Sequence, residues 1–379
     1  MVQVELILEN SNIIPFFGIR RQYALHREEL LTAVDDVYRS GQVLDGMYTM
    51  RFEEAIARRC DRAYAVAVNS GTQALKFALE EYEDEDDALI IPAISFVATV
   101  NVAAQSAFKN THMVDVDSQG LMYLESLERA HIEDNVSTVM YVNLYGNTID
   151  YDRFRLQTEF FTSQRLNVIE DAAQSFGASY RGIPSGKMGD ISVLSFDPTK
   201  NLNNYGSGGM VLTDDAGVAS NIRNERNNGK ESDHEYAGTN SKMSEADCAQ
   251  MLVKLQYFDA WQERRTRIAD YYSTELLKFV DVPTATPGAV HAWHKYVIRT
   301  KERSKLQHHL TIAGIETKIH YNKTLFDYPV GECYGPDPVS GSFWEATRLT
   351  RECLSLPIYP ELADAEVERV VEAVRDFYW

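Results

Sequence analysis

A chain of 379 residues with 37 Lys+Arg against 56 Asp+Glu carries a formal charge of −19. Hydrophobic residues at 44% and charged residues at 25% describe a globular protein with enough apolar side chain for a large core, which excludes a disordered chain. The acidic balance argues against a nucleic-acid partner, because phosphate neutralisation takes a basic surface.

From about residue 60, short β-rich runs alternate with helical patterns. AYAVAVNS (63–70) reads as a strand and GTQALKFALEEY (71–82) as the helix after it. ALIIP (88–92) followed by FVATVNVAAQSAF (96–108) repeats the pairing, as do THMVDVD (111–117) with LMYLESLERA, and STVMYVNLYG (137–146) with the polar helical stretch beyond it. LNVIED (166–171), ISVLSF (191–196) and GMVLTD (209–214) complete the strands. Several are continuous apolar runs, as strands covered by helices on both faces are, so the expectation is an α/β fold with a mostly parallel sheet. Ligands of such sheets bind beyond the carboxyl ends of the strands. After residue 243 the texture changes to a long helical stretch (244–280), a strand candidate HAWHKYVIRT, further helix, and the amphipathic closing segment ADAEVERVVEAVRDFYW. A large domain over 1–243, with an N-terminal helical segment, and a smaller α+β domain over 244–379 are expected.

The four cysteines, at 60, 248, 333 and 353, form no CxxC pair, a usage expected of reduced thiols and of no zinc site. The start MVQVELILENSN lacks the basic and apolar regions of a signal peptide, and no stretch approaches the roughly 20 apolar residues that span a bilayer. A cytoplasmic protein with no membrane partner is expected.

The residues with chemistry cluster just after strands. Lys200 stands in a turn rich in Gly and Asn, SFDPTKNLNNYGSGGM; desolvated, such a lysine is a Schiff-base nucleophile, and exposed it is an ordinary surface residue. Asp171 directly follows an apolar strand, where an acid either caps a helix or partners the ring nitrogen of pyridoxal phosphate, which needs a lysine and a carboxylate together. Ser70, Gly71 and Thr72, in NSGTQAL, fall at a strand-to-helix junction that caps a helix or holds an anion such as phosphate. Phe96 is either a core residue or the face for a flat ring. The residues alone leave each pair of readings open.

Together these segments resemble the DegT-type sugar aminotransferases, pyridoxal-phosphate enzymes of the aspartate-aminotransferase type I fold. The matching runs are IPFFGIRRQY, SGQVLDGMYTMRFEEAIA, VNSGTQAL, IPAISFVATVN, VIEDAAQSFGASYRG, GDISVLSFDPTKNL, GSGGMVLT, NSKMSEADCAQ and GIETKIHY, in family order from Ile14 to about Tyr321. The resemblance implies that Lys200 forms the Schiff base and moves the proton, Asp171 keeps the pyridine nitrogen protonated, Gln174 bonds the ring hydroxyl, and Phe96 stacks on the ring. It further implies that Gly71, Thr72 and Ser195 bind the phosphate, and that Asn240 reaches the site of a neighbouring subunit in a homodimer with shared active sites. The implied reaction transfers an amino group from a donor, glutamate, to a nucleotide-linked ketosugar. Arg181, His320, Tyr321 and Lys323 are candidate substrate contacts. The family's proline and second histidine after HY are absent from HYNKTLFDYPV, and an acid, Asp197, occupies a variable position of the lysine motif. Dehydratases of the family carry histidine in place of the lysine, so Lys200 disfavours that reading. A cofactor-binding homologue with a regulatory or structural role is the alternative.

Overall fold

The computed structural model describes residues 12–130, 135–160, 166–235, 237–334 and 343–379. Its first helices are α1 (Ile19–Ser40) and α2 (Met47–Arg59). The alternating region follows: β1 (Tyr64–Val68), α3 (Gly71–Glu80), β2 (Ala88–Pro92), α4 (Ala98–Ala103), β3 (Asn110–Val114), α5 (Leu124–Ala130), β4 (Val136–Val142), α6 (Tyr151–Phe160) and β5 (Asn167–Asp171). A hairpin of β6 (Ser179–Tyr180) and β7 (Ile183–Pro184) leads into β8 (Ile191–Ser195), β9 (Gly209–Thr213) and α7 (Ala216–Glu225). Beyond these lie α8 (Glu245–Leu255), α9 (Phe258–Leu276), β10 (Ala289–Val290), β11 (Tyr296–Arg299), α10 (Arg303–Ile312), α11 (Trp344–Glu352), β12 (Cys353–Leu356) and α12 (Asp364–Tyr378).

Seven strands form the main sheet in the order β1-β9-β8-β5-β4-β2-β3. The run β8-β5-β4-β2-β3 is parallel, and β9 runs antiparallel to β1 and β8 on either side of it. Every residue of β2 and β9 is buried, as the uninterrupted apolar runs predict for strands sandwiched between helices. Helix α3 starts only two residues past β1 because Ser70 caps it: its hydroxyl accepts the Gln73 N–H at 3.1 Å.

A second core gathers α9, α10 and α12 on the antiparallel pair β11–β12, with Ile268, Tyr272, Leu310, Leu354 and Val370 inside. The N-terminal segment joins it, since Ile14 bridges Ile315 and Phe16 N–H donates to the Glu316 carboxylate at 2.9 Å. Residue 244 is the N-cap of α8, and Cys248 and Met251 of that helix face the core that holds Phe52 and Phe196. Glu245 fastens α8 to the start of α2, accepting the N–H groups of Gly46, Tyr48 and Thr49 at 2.7 to 3.0 Å. These are donors that a helix start leaves without intrahelical partners. Among the described residues no helix is long and apolar enough to cross a membrane.

The centre of the sheet is tied by Glu170 of β5. Its fully buried carboxylate accepts from Asn143 Nδ2 (2.9 Å), Ser185 Oγ (2.8 Å), Gly186 N (3.0 Å), Met188 N (2.9 Å) and Ser192 Oγ (2.8 Å). The buried guanidinium of Arg62 closes the network by donating to Ser192 Oγ at 3.0 Å and to the Gly186 carbonyl at 2.7 Å. One side chain thus joins the end of β4, the β6–β7 hairpin and β8. Glu170→Leu strands several buried donors, each costing roughly 1–3 kcal/mol, so urea denaturation of the cofactor-free chain is expected to show a loss of at least about 3 kcal/mol. Glu170→Gln, which keeps one acceptor, is expected to lose less.

Candidate active site

Lys200 sits in the connection from β8 to β9, and its local sequence explains the geometry. Asp197 and Pro198 open a β-turn in which Lys200 N–H donates to the Asp197 carbonyl at 2.9 Å, with proline at the position that its fixed φ favours. Asp197 Oδ1 accepts from both Thr199 N (3.0 Å) and Thr199 Oγ1 (2.8 Å). The acid at the family's variable position is therefore half-buried and spent on its own turn. The loop is pinned from the helices behind it. Asn201 Nδ2 donates to the Ala292 carbonyl (2.6 Å) and to Gln262 (2.9 Å), Asn204 Nδ2 to Asp247 (2.8 Å), and Lys254 Nζ to the Asn203 carbonyl (2.7 Å).

Burial drives the Lys200 ammonium below its usual range, opposed by the fields of Asp171 and Asp197. Asp171, at the end of β5, is 4% exposed. Burial pushes its carboxyl up to about 6, against the Ala173 N–H that donates to it at 3.0 Å and against the positive field of Lys200. Because side chains alternate along a strand, Glu170 and Asp171 face opposite sides of the sheet, one into its network and the other into the cleft.

Gln174 is 5% exposed, and its amide is oriented from both ends: Tyr145 N–H donates to Oε1 at 3.0 Å, and Nε2 donates to Tyr321 Oη at 3.1 Å. Tyr145 holds φ +60° in the turn after β4, and its hydroxyl donates to the His320 carbonyl. Phe96 is 51% exposed, with its ring 6.3 Å from that of Tyr321, so of the two sequence readings it is the open aromatic face and not the core residue. At the start of α3, Gly71 is packed against the end of β8, where a Cβ would stand 2.7 Å from Ser195 Cβ. Thr72 is exposed on the first turn, and Ser195 Oγ accepts from Asp197 N at 3.4 Å. The glycine brings the free N–H groups of a ten-residue helix close to the lysine turn, which is an anion-binding arrangement.

The other candidates divide. His320 reaches the site region: its Nδ1 is 2.8 Å from Ser355 Oγ, its ring lies 5.8 Å from that of Phe16, and burial beside Lys295, Lys318 and Lys200 pushes its pKa down to about 3. Lys323 is exposed, with its ammonium 5.3 Å over the Tyr328 ring. Arg181 lies in the β6–β7 turn, paired with Asp152 at 2.5 Å and over the Tyr180 ring. Asn240 is exposed and bridges Asn227, and the next residue, Ser241, accepts the Asn69 N–H at 2.7 Å beside the start of α3. Sequence reading missed Tyr145, Glu170 and Lys295. Glu170 stood in view as the neighbour of Asp171, whereas nothing in the spacing of HAWHKY brings Lys295 to Lys200.

A desolvated lysine, a buried acid, an oriented amide, an open aromatic face and a helix N-terminus at one edge of a mostly parallel sheet fit pyridoxal phosphate, and the fold and site are those of a pyridoxal-phosphate-dependent aminotransferase. The chain belongs to the DegT/DnrJ/EryC1/StrS aminotransferase family, which matches residues 25–375. It is 34% identical over 372 residues to the erythromycin biosynthesis sensory transduction protein EryC1 of Saccharopolyspora erythraea, covering 96% of this chain and 99% of that protein. It is 32% identical to the dTDP-3-amino-3,4,6-trideoxy-alpha-D-glucose transaminase of Streptomyces venezuelae, covering 96% of each. The crystal structure of S. venezuelae DesV in complex with a ketimine intermediate superposes with a TM-score of 0.90 at 32% identity, over 96% of this chain and 98% of that one.

The raised Asp171 pKa has a thermodynamic signature. Below the ordinary carboxyl value of 3.8 folded and unfolded chains are both protonated and the burial costs nothing. As pH rises through about 6 the folded chain must hold a buried charge, and stability is lost. Asp171→Asn in the cofactor-free chain is therefore expected to match the parent at about pH 3 and to exceed it at pH 8 by at most about 3 kcal/mol. Thermal unfolding at the two pH values checks this.

Proposed function

We infer that the protein is an aminotransferase that uses pyridoxal phosphate to convert a nucleotide-linked ketosugar into an aminosugar, with glutamate as the amino donor. The observation that carries the reading is the pairing of a desolvated Lys200 with the buried Asp171 beside the capped start of α3. Family membership supports it, and transaminases of dTDP-linked sugars among the relatives support the substrate class.

When bound, pyridoxal phosphate supplies an electron sink that makes an adjacent carbon acidic. The α3 N–H groups, with Gly71, Thr72 and Ser195, would hold its phosphate, and Asp171 would keep its ring nitrogen protonated. Gln174, its amide set by Tyr145, would meet the ring hydroxyl, and Phe96 would cover the ring. Lys200, its proton affinity lowered by desolvation, is both nucleophile and base: its Nζ takes the proton from the donor's α-carbon and later returns one to the sugar carbon. His320, Tyr321 and Lys323 stand on the segment assigned to the sugar nucleotide, and Arg181 is the more remote candidate. Asn240, exposed near the start of α3, is assigned to the site of a second copy in a homodimer. The buried free thiols of Cys60, Cys248 and Cys353 suit the reducing cytoplasm, where such sugars feed polysaccharide biosynthesis.

The test is an absorption spectrum of the protein with pyridoxal phosphate. A visible band that L-glutamate bleaches is expected, and Lys200→Ala is expected to lose it along with at least about 100-fold in turnover. A band indifferent to every amino donor would favour the regulatory reading, and no band would overturn the assignment of Lys200. Shared sites are tested by mixing: Lys200→Ala and Asn240→Ala chains, each inactive alone, are expected to regain activity on subunit exchange, because one site of the hybrid is intact. No recovery between dimers shown to exchange would reject that role for Asn240.

A further inference from the structure

Lys200 shares a cavity of about 30 Å³ with Phe17, Arg265, His294, Lys295 and Glu361. At roughly 10–15 Å³ per water-sized atom, that volume admits the two oxygens of a carboxylate. Lys295 is 5% exposed, in the bend before β11. Its ammonium lies 4.5 Å from the centre of the Phe17 ring and 5.4 Å from that of Phe16, and among the described residues it forms no ion pair. Asp197, whose field reaches it, has Oδ1 committed to Thr199. Arg265 spends one nitrogen on the Trp293 and Ile358 carbonyls, at 3.2 and 2.8 Å, while its buried Nε has no partner. His294 Nδ1 and Tyr359 Oη in the same lining are likewise buried without partners.

We propose that Lys295, with the free Nε of Arg265, forms a carboxylate-binding subsite beside Lys200, and that its occupant is the α-carboxylate of the amino donor. This rests on the transaminase reading. Three basic side chains, Lys200, Lys295 and Arg265, meet one acid in this lining, Glu361, whose field also acts on Arg265 and on Lys254. A buried ammonium without a counter-ion is costly, and an entering carboxylate supplies the missing charge. The loss of water, and then the fields of Lys200, Arg265 and Lys318, hold Lys295 well below its usual range. The donor's carboxylate is one carbon from its nitrogen, and that nitrogen must arrive where Lys200 Nζ lies. Lys200 lines this cavity and its field acts on Lys295, which sets the subsite within reach of a donor carboxylate. A carboxylate on the sugar is the other source of the same chemistry.

Two measurements on the full chain separate the outcomes. Glutarate titrated calorimetrically into the cofactor-free protein is expected to bind about tenfold or more weakly to Lys295→Met, with Lys295→Arg retaining most of the affinity. In the loaded enzyme, Lys295→Met is expected to slow bleaching by L-glutamate by a similar factor. Bleaching by isopropylamine, which has no carboxylate, is expected to stay at the parent rate, which also shows that the variant folds. Loss confined to a nucleotide-linked 3-oxo sugar bearing a carboxylate, with L-glutamate and the neutral sugar unaffected, would move the occupant to the sugar and overturn the donor assignment. Unchanged glutarate affinity and unchanged glutamate rate would overturn the subsite while leaving the transaminase reading intact. Lys295-dependent glutarate binding in a chain that takes up no pyridoxal phosphate would keep the subsite and sink the transaminase reading.

Discussion

Glu170 and Asp171 are adjacent on β5, and the two-residue period of a strand sends them to opposite faces. Glu170 is surrounded by donors from the end of β4, the β6–β7 hairpin and β8, so the strand that bears Asp171 cannot slide without leaving those buried donors unpaired. A one-residue slip would also turn each acid to the opposite face, taking Glu170 out of its network and Asp171 out of the cleft. The position of Asp171 opposite Lys200 depends on that register.

The same economy recurs at Lys200. Its turn is closed locally by Asp197, Pro198 and Thr199, then clamped from behind by Asn201 and Asn204 against residues of α8 and α9 and the segment before β11. A lysine on a loop fixed from two sides loses water without gaining a tight partner, which is how burial lowers its proton affinity. The second core contributes as well. It presents Lys295 and Arg265 to the large sheet's edge beside Lys200, so a protein of net charge −19 carries a cluster of basic side chains in this hollow. Net charge describes the solvated surface, and the local field is set by the few groups that are desolvated.

Much of the cleft's lining was legible in the chain order, because these residues lie at or shortly after strand ends, and strand ends of a parallel sheet converge at one edge. β1, β2, β5 and β8 deliver Gly71, Phe96, Asp171 and Lys200 in that way. Phe96 shows the limit of such reading: its sequence context suits a core residue equally well, and only the packing leaves it half exposed. Gln174 was legible by motif, but its orientation was not, since Tyr145 and Tyr321 are 29 and 147 residues away in the chain.

By itself the sequence determined the alternation of strands and helices, the parallel character of most of the sheet, the Ser70 cap that starts α3, and the Asp-Pro turn that presents Lys200. All of these are set by side-chain period and by hydrogen bonds between near neighbours. The tertiary structure alone decided the antiparallel insertion of β9, the Glu170 network, the pinning of the lysine loop from α8 and α9, and the meeting of Lys295 and Arg265 with Lys200. Those depend on contacts between segments tens to hundreds of residues apart. Their desolvation and charge coupling exist only once both cores have closed around them.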